Sequence, residues 1–135
     1  MKAILPVAGK GTRLRPHTHT KAKSLVNVAG KTVLEHIIER LQDAAVEEYI
    51  FIIDDNGQQI KDFMANKFPD LSCSYYVQQE RLGPAHAVAL GSPSVETGDD
   101  LLVVFNDTIF VTDLTAIPEL CRRADGLIYS KEVED

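Results

Sequence analysis

Gly9-Lys10-Gly11-Thr12-Arg13-Leu14 follows the apolar run Ala3–Val7, and no other stretch of the chain is so well equipped for chemistry. Glycines at alternate positions let successive backbone N–H groups approach an anion closely and form a nest around it. Arg13 adds a planar, permanently charged fork. Lys23, twelve residues past Gly11, adds a point charge if the chain returns toward that turn. Phosphate oxygens suit such a set, above all where negative charge builds up during group transfer. The spacing departs from two well-known patterns. No Lys-Ser/Thr pair follows the glycines, and Leu14 stands where a third glycine would complete G-x-G-x-x-G. Taken alone, Gly-x-Gly fits an ordinary tight loop with surface cations equally well.

Charge is distributed unevenly along the chain. Lys2, Lys10, Arg13, Arg15, Lys21, Lys23 and Lys31 precede the first carboxylate, Glu35. The 135 residues hold 14 Lys+Arg and 20 Asp+Glu, so the stretch after Lys31 has 7 basic residues against all 20 acidic ones. A small anionic ligand is therefore expected at the N-terminal end, while the acidic remainder repels nucleic acid and acidic membranes. Hydrophobic residues make up 44% and charged residues 25%, an ordinary soluble composition in a one-domain length. No run is long enough for a membrane span or a secretory signal. Cys73 and Cys121 show neither metal-site spacing nor disulfide density, so reduced thiols in a cytoplasmic protein are expected.

The elements that must position these residues alternate. Strands are expected at Ala3–Val7, Leu25–Val28, Tyr49–Ile53, Ser72–Gln78, Leu101–Phe105 and Gly126–Ser130. Helices are expected after Thr32, over Gln58–Phe68, over Pro84–Leu90 and over Thr115–Ala124. Thr32 and Glu35 have the spacing of a capping box, and Val33, Leu34, Ile37, Ile38, Leu41 and Ala45 form one apolar stripe. Pro6 is tolerable only at a strand end or an unpaired edge. The alternation predicts an α/β, Rossmann-like three-layer sandwich with a mostly parallel central sheet. Ligands gather at the carboxyl ends of such strands, where the loops Ala8–Lys23, Asp54–Gly57, Gln78–Gly83 and Asn106–Ile109 would lie. His17 and His19 read as solvated loop residues, and His36 and His86, on or near helices, as structural.

Gly9-Lys10-Gly11-Thr12-Arg13-Leu14-Arg15-Pro16-His17-Thr18, followed by Lys23, Leu25, Val28 and Gly30-Lys31, resembles the N-terminal signature of the sugar-1-phosphate nucleotidyltransferases. The glucose-1-phosphate thymidylyltransferase branch is the nearest in pattern. Tyr76-Val77-Gln78-Gln79-Glu80-Arg81-Leu82-Gly83-Pro84-Ala85 is similar to the family's base-binding segment, and Asn106-Asp107-Thr108-Ile109-Phe110 to its metal-binding one. Ala8, Ala22, Thr32, Pro84 and Asn106 depart from the usual residues without removing a charged group.

The resemblance implies transfer of a nucleotidyl group from a nucleoside triphosphate, dTTP or UTP, to a sugar 1-phosphate with release of pyrophosphate. It implies catalytic roles for Arg13 at the pyrophosphate and Lys23 at the α-phosphate. Ala8, Gly9, Gly11, Thr12, Gln78 and Gly83 would bind the nucleotide, the last two at the base, and Asp107 would hold Mg2+. The glutamine amide pairs a donor with an acceptor and so matches an imide edge. Neither nucleic acid nor membrane is an expected partner, and self-association into a homo-oligomer is left open. Residues 1–135 are expected to form the nucleotide-binding half of a domain about twice as long. The alternatives are a non-catalytic nucleotide-sensing module and a piece of a longer enzyme that is inactive alone.

Overall fold

The structure is a computed structural model that describes residues 1–9, 21–55, 57–122 and 124–130. Apolar runs of three to six residues form four parallel strands, β1 (Lys2–Pro6), β4 (Glu48–Ile53), β5 (Cys73–Val77) and β6 (Leu101–Val103), in the order β5-β4-β1-β6. A two-residue hairpin, β2 (Asn27–Val28) and β3 (Lys31–Thr32), turns through Ala29 and Gly30 at φ +50° and +86°, which is the left-handed pair a tight hairpin needs. Pro6 ends β1 opposite Ile52, beyond the β6 pairing that stops at Ile4, so no ladder hydrogen bond is lost.

The period-two alternation of the central strands sends side chains to two faces. On one, Ala3, Leu5, Tyr49, Phe51 and Ile53 pack against α1 (Val33–Gln42), α2 (Gly57–Lys67) and α4 (Ile117–Cys121). On the other, Ile4, Ile50 and Ile52 meet Ala87 of α3 (Pro84–Leu90). These are the three layers that the alternation of elements predicts.

Helix boundaries follow local chemistry. The Glu35 N–H donates to Thr32 Oγ1 at 3.0 Å, which caps α1. The Glu35 carboxylate, instead of turning back to Thr32, pairs with Lys67 Nζ at 3.1 Å and ties the start of α1 to the end of α2. Pro84 opens α3, where its missing N–H costs nothing. The residue that begins α2 is glycine, Gly57, because a Cβ there would lie 2.5 Å from Ile53 Cδ1.

Three expectations are corrected. The stripe of α1 ends before Ala45, which is left-handed at φ +53°, and Ala44 takes the buried place. Of the expected strand Leu25–Val28 only Asn27–Val28 is strand, and Leu25 belongs instead to a 3-10 turn (Lys23–Leu25) that buries Ser24 and Leu25. Gly126–Ser130 is not a strand: Ile128 is 93% exposed, with no neighbouring strand to accept its ladder among the described residues. The strand expected at Leu101–Phe105 is present but ends at Val103, and it lies at the sheet edge with Leu101 and Val103 exposed.

Tyr49 is 1% exposed, and its hydroxyl has no hydrogen-bond partner among the described residues. Burial pushes its phenol up to about 12. The folded pKa exceeds the unfolded one, so the neutral phenol stabilises the fold until the unfolded chain ionises, and that stability drains away between about pH 10 and 12. Tyr49→Phe removes the orphaned hydroxyl. It is expected to raise unfolding stability by about 1 kcal/mol at neutral pH in urea titrations. It should also flatten part of the alkaline loss, the half-buried Tyr75 phenol, raised in the same direction, supplying the rest.

Candidate functional site

Because the four strands run parallel, their carboxyl ends share one edge of the sheet. At its centre the N–H groups of Val7 and Ala8 both donate to the Ile52 carbonyl at 2.9 Å, which holds the chain leaving β1 against β4 as far as Ala8. Gly9 follows, and among the described residues a Cβ built on it would meet nothing within 4 Å, so their packing does not demand glycine there. Lys10, Gly11, Thr12, Arg13, Arg15, His17 and His19 lie outside the described residues.

Lys23 is set beside this edge by an independent anchor. The Ala22 N–H donates to Gln59 Oε1 at 3.1 Å, in the first turn of the helix that leaves β4. Buried Ser24 and Leu25 fix the other side of Lys23. The Lys23 side chain is half-buried and carries no ion pair among the described residues.

Gln78 continues from β5, its N–H donating to the Ile53 carbonyl at 2.8 Å, and its side chain is buried. Gly83 stands five residues on at φ +102°, ψ 177°, a conformation essentially reserved for glycine. Arg81, between them, donates to Asp54 Oδ2 at 3.0 Å and links the loop after β5 to the loop after β4. On the far side of β1, Val104 donates to the Ile4 carbonyl at 3.0 Å, and Asp107 follows three residues later, exposed, with Thr108 Oγ1 donating to it at 3.4 Å.

The charge asymmetry of the sequence is only partly spent at this edge. Lys2 starts β1, at the opposite edge, where Nζ lies 2.9 Å from Asp99 and 3.6 Å from Glu48 and donates to the Ser94 carbonyl at 2.6 Å. The Asp99 hydrogen bond, foremost, holds the Lys2 ammonium above its usual range. Lys31 pairs with Glu39 at 2.6 Å on the surface. Nearness in sequence put seven cations together; Lys2 and Lys31 are taken up by carboxylates of the acidic remainder. Two cavities, of about 310 Å³ by Phe68 and Cys73 and about 400 Å³ by Asp99 and Tyr129, also open away from the carboxyl edge.

Asp107 is one exposed carboxylate, and no group of three or more metal-ligating side chains gathers among the described residues. That donor set fits a hard divalent ion held by one protein oxygen and completed by substrate oxygens and water, as Mg2+ commonly is. It does not fit a protein-only cage.

A profile of the nucleotidyl transferase family matches residues 2–128. The chain belongs to that family. It is 31% identical over 136 residues to the UTP–glucose-1-phosphate uridylyltransferase AglF of Haloferax volcanii, covering 99% of this chain and 55% of that protein. It is 36% identical over 117 residues to the bifunctional protein GlmU of Methanococcus maripaludis, covering 87% of this chain and 27% of that one. A solved Bacillus anthracis protein assigned as a glucose-1-phosphate thymidylyltransferase superposes with a TM-score of 0.80 at 26% identity, over 91% of this chain and 50% of its own. The chain thus spans about half the length, or less, of the relatives it matches. Among the described residues no helix is long and apolar enough to cross a membrane.

Sequence reasoning placed Arg81 in a loop at this edge without its partner Asp54, and it missed Gln59 and His86 as members of the edge. Gln59 and Arg81 act across distances in the chain that no local pattern reveals. His86 left a readable trace: Pro84 starts a helix, so His86 lies in its first turn, close to where the preceding loop began.

Proposed function

We propose that this chain forms the triphosphate-binding part of a sugar-1-phosphate nucleotidyltransferase that uses UTP or dTTP. The observation that carries the reading is the order of groups along one edge: Gln78 after β5, Ala8 and Gly9 after β1, Asp107 after β6. Adjacent strands lie about 4.8 Å apart, so the line from the β5 end to the β6 end is roughly 14 Å, the scale of a nucleoside triphosphate laid across the sheet. The base would sit at Gln78 and Gly83, and the phosphates over Gly9, Gly11 and Thr12.

The sugar phosphate oxygen attacks the α-phosphorus, its bond forming as the bond to pyrophosphate breaks. The acceptor is already anionic, so no general base is needed; the protein aligns two mutually repelling anions. Lys23 would contact the α-phosphate and Arg13 the departing pyrophosphate. Asp107 would hold Mg2+, which when bound supplies positive charge beside the phosphate oxygens.

Calorimetric titration with UTP or dTTP is expected to show magnesium-dependent binding, and Asp107→Asn to lose the magnesium dependence. The reading fails if neither triphosphate binds. A second reading is a nucleotide-binding module without transfer. Adding a sugar 1-phosphate separates the two: the transferase releases pyrophosphate and the module does not.

A further inference from the structure

Gln78 and His86 close the loop between β5 and α3 on itself. Gln78 Nε2 lies 3.3 Å from His86 Nδ1. Both partners stand on firm supports. Gln78 is 8% exposed and fastened to the end of β4 through its backbone. His86 is next to Ala87, which is buried against Ile4, Ile50 and Ile52. In this sense of the carboxamide its nitrogen donates, which requires Nδ1 to accept and the ring proton to reside on Nε2. One amide N–H and the oxygen Oε1 of Gln78 are left for other partners.

A carboxamide is close to symmetric in shape and opposite in polarity at its two ends. Its last torsion is broad and roughly two-fold, so an unrestrained glutamine can present donor and acceptor in either order. Uracil and thymine offer an O4 acceptor beside the N3–H donor. Cytosine reverses them, with an N4–H donor beside bare N3. A carboxamide fixed in one sense meets one of these edges and sets like against like on the other.

We propose that His86 is a positioning residue that locks the polarity of the Gln78 carboxamide and thereby makes the site select uracil or thymine over cytosine. The proposal rests on the reading that Gln78 faces the base, and its test separates the two.

The chain is titrated with UTP and with CTP, magnesium present, as wild type, His86→Leu, His86→Asn and Gln78→Ala. Wild type should favour UTP. His86→Leu should lower the UTP-to-CTP affinity ratio about tenfold, the worth of one ordinary hydrogen bond. His86→Asn, whose Oδ1 can accept where Nδ1 did, should recover most of it. If His86→Leu keeps the ratio while Gln78→Ala loses it, His86 has no such role and the base assignment of Gln78 stands. If Gln78→Ala also keeps the ratio, both ideas fall. Nitrogen-15 NMR of the wild-type imidazole gives a readout that needs no variant to fold: a proton on Nε2 supports the proposal, and a neutral ring protonated on Nδ1 overturns it.

Discussion

Lys23→Ala is expected to weaken UTP or dTTP binding by about 10- to 100-fold, the range that one charge-assisted hydrogen bond of about 1.5–3 kcal/mol commands. The backbone around Lys23 does not depend on its side chain. Leu25 donates to the Ala22 carbonyl at 2.9 Å, Val26 to the Lys23 carbonyl at 3.2 Å, and Ala22 to Gln59. Ser24 and Leu25 stay buried whatever stands between Ala22 and Ser24. Unfolding stability should therefore change by less than about 0.5 kcal/mol, as for surface substitutions generally. The same calorimetry repeated at rising salt should show a shallower loss of affinity in the variant, since one cation fewer faces the phosphates. Lys23→Arg should restore only part of the affinity, because a planar fork does not occupy the place of a compact ammonium. Unchanged triphosphate affinity in Lys23→Ala would remove this lysine from the site.

What could be read in the sequence depended on how local the determining force was. Helix α3 matches its expected span because Pro84 fixes the start, and α1 starts where Thr32 and Glu35 say it should. Strand β4 was legible because a central parallel strand is apolar on both faces, and Tyr49–Ile53, all but the first residue of Glu48–Ile53, reads that way. The apolar signal misled at residues 126–130, which pair with no strand among the described residues; whether an apolar run finds a partner is not encoded in any local pattern. Charge behaved alike: Lys2 is spent on Asp99, 97 residues away, and Lys31 on Glu39.

The site shows the same division. The glycine-bearing turn stood out by type and spacing, whereas Gln78 and Asp107 were singled out only through the family resemblance; each follows a strand end. Gly83 gains a physical reason, its φ of +102°. The contacts that join these loops to one another, Gln59 to Ala22, Arg81 to Asp54 and Gln78 to His86, span 37, 27 and 8 residues. They arise only once the strands are parallel and adjacent, so the fold has to exist before they can be read.

Phe51→Ala is expected to cost about 3–5 kcal/mol of unfolding stability, the usual penalty for removing a large aromatic side chain from a packed core. Phe51 is fully buried at the middle of the layer between the sheet and the helices α1 and α2. Its ring stacks on Tyr75 at 5.4 Å between centroids with a 17° interplanar angle, so its loss strips one face of an aromatic pair as well as opening a cavity. Domains of this size hold only about 5–15 kcal/mol in total, so the urea midpoint should fall steeply. The consequence reaches the site, because Ile52, the next residue, supplies the carbonyl that accepts from both Val7 and Ala8. Under conditions where the variant is still folded, triphosphate affinity should drop although Phe51 touches no ligand. A loss of stability below about 1 kcal/mol in the urea titration would mean that the layer can collapse around the missing ring, and that β4 is not the rigid support on which the carboxyl edge depends.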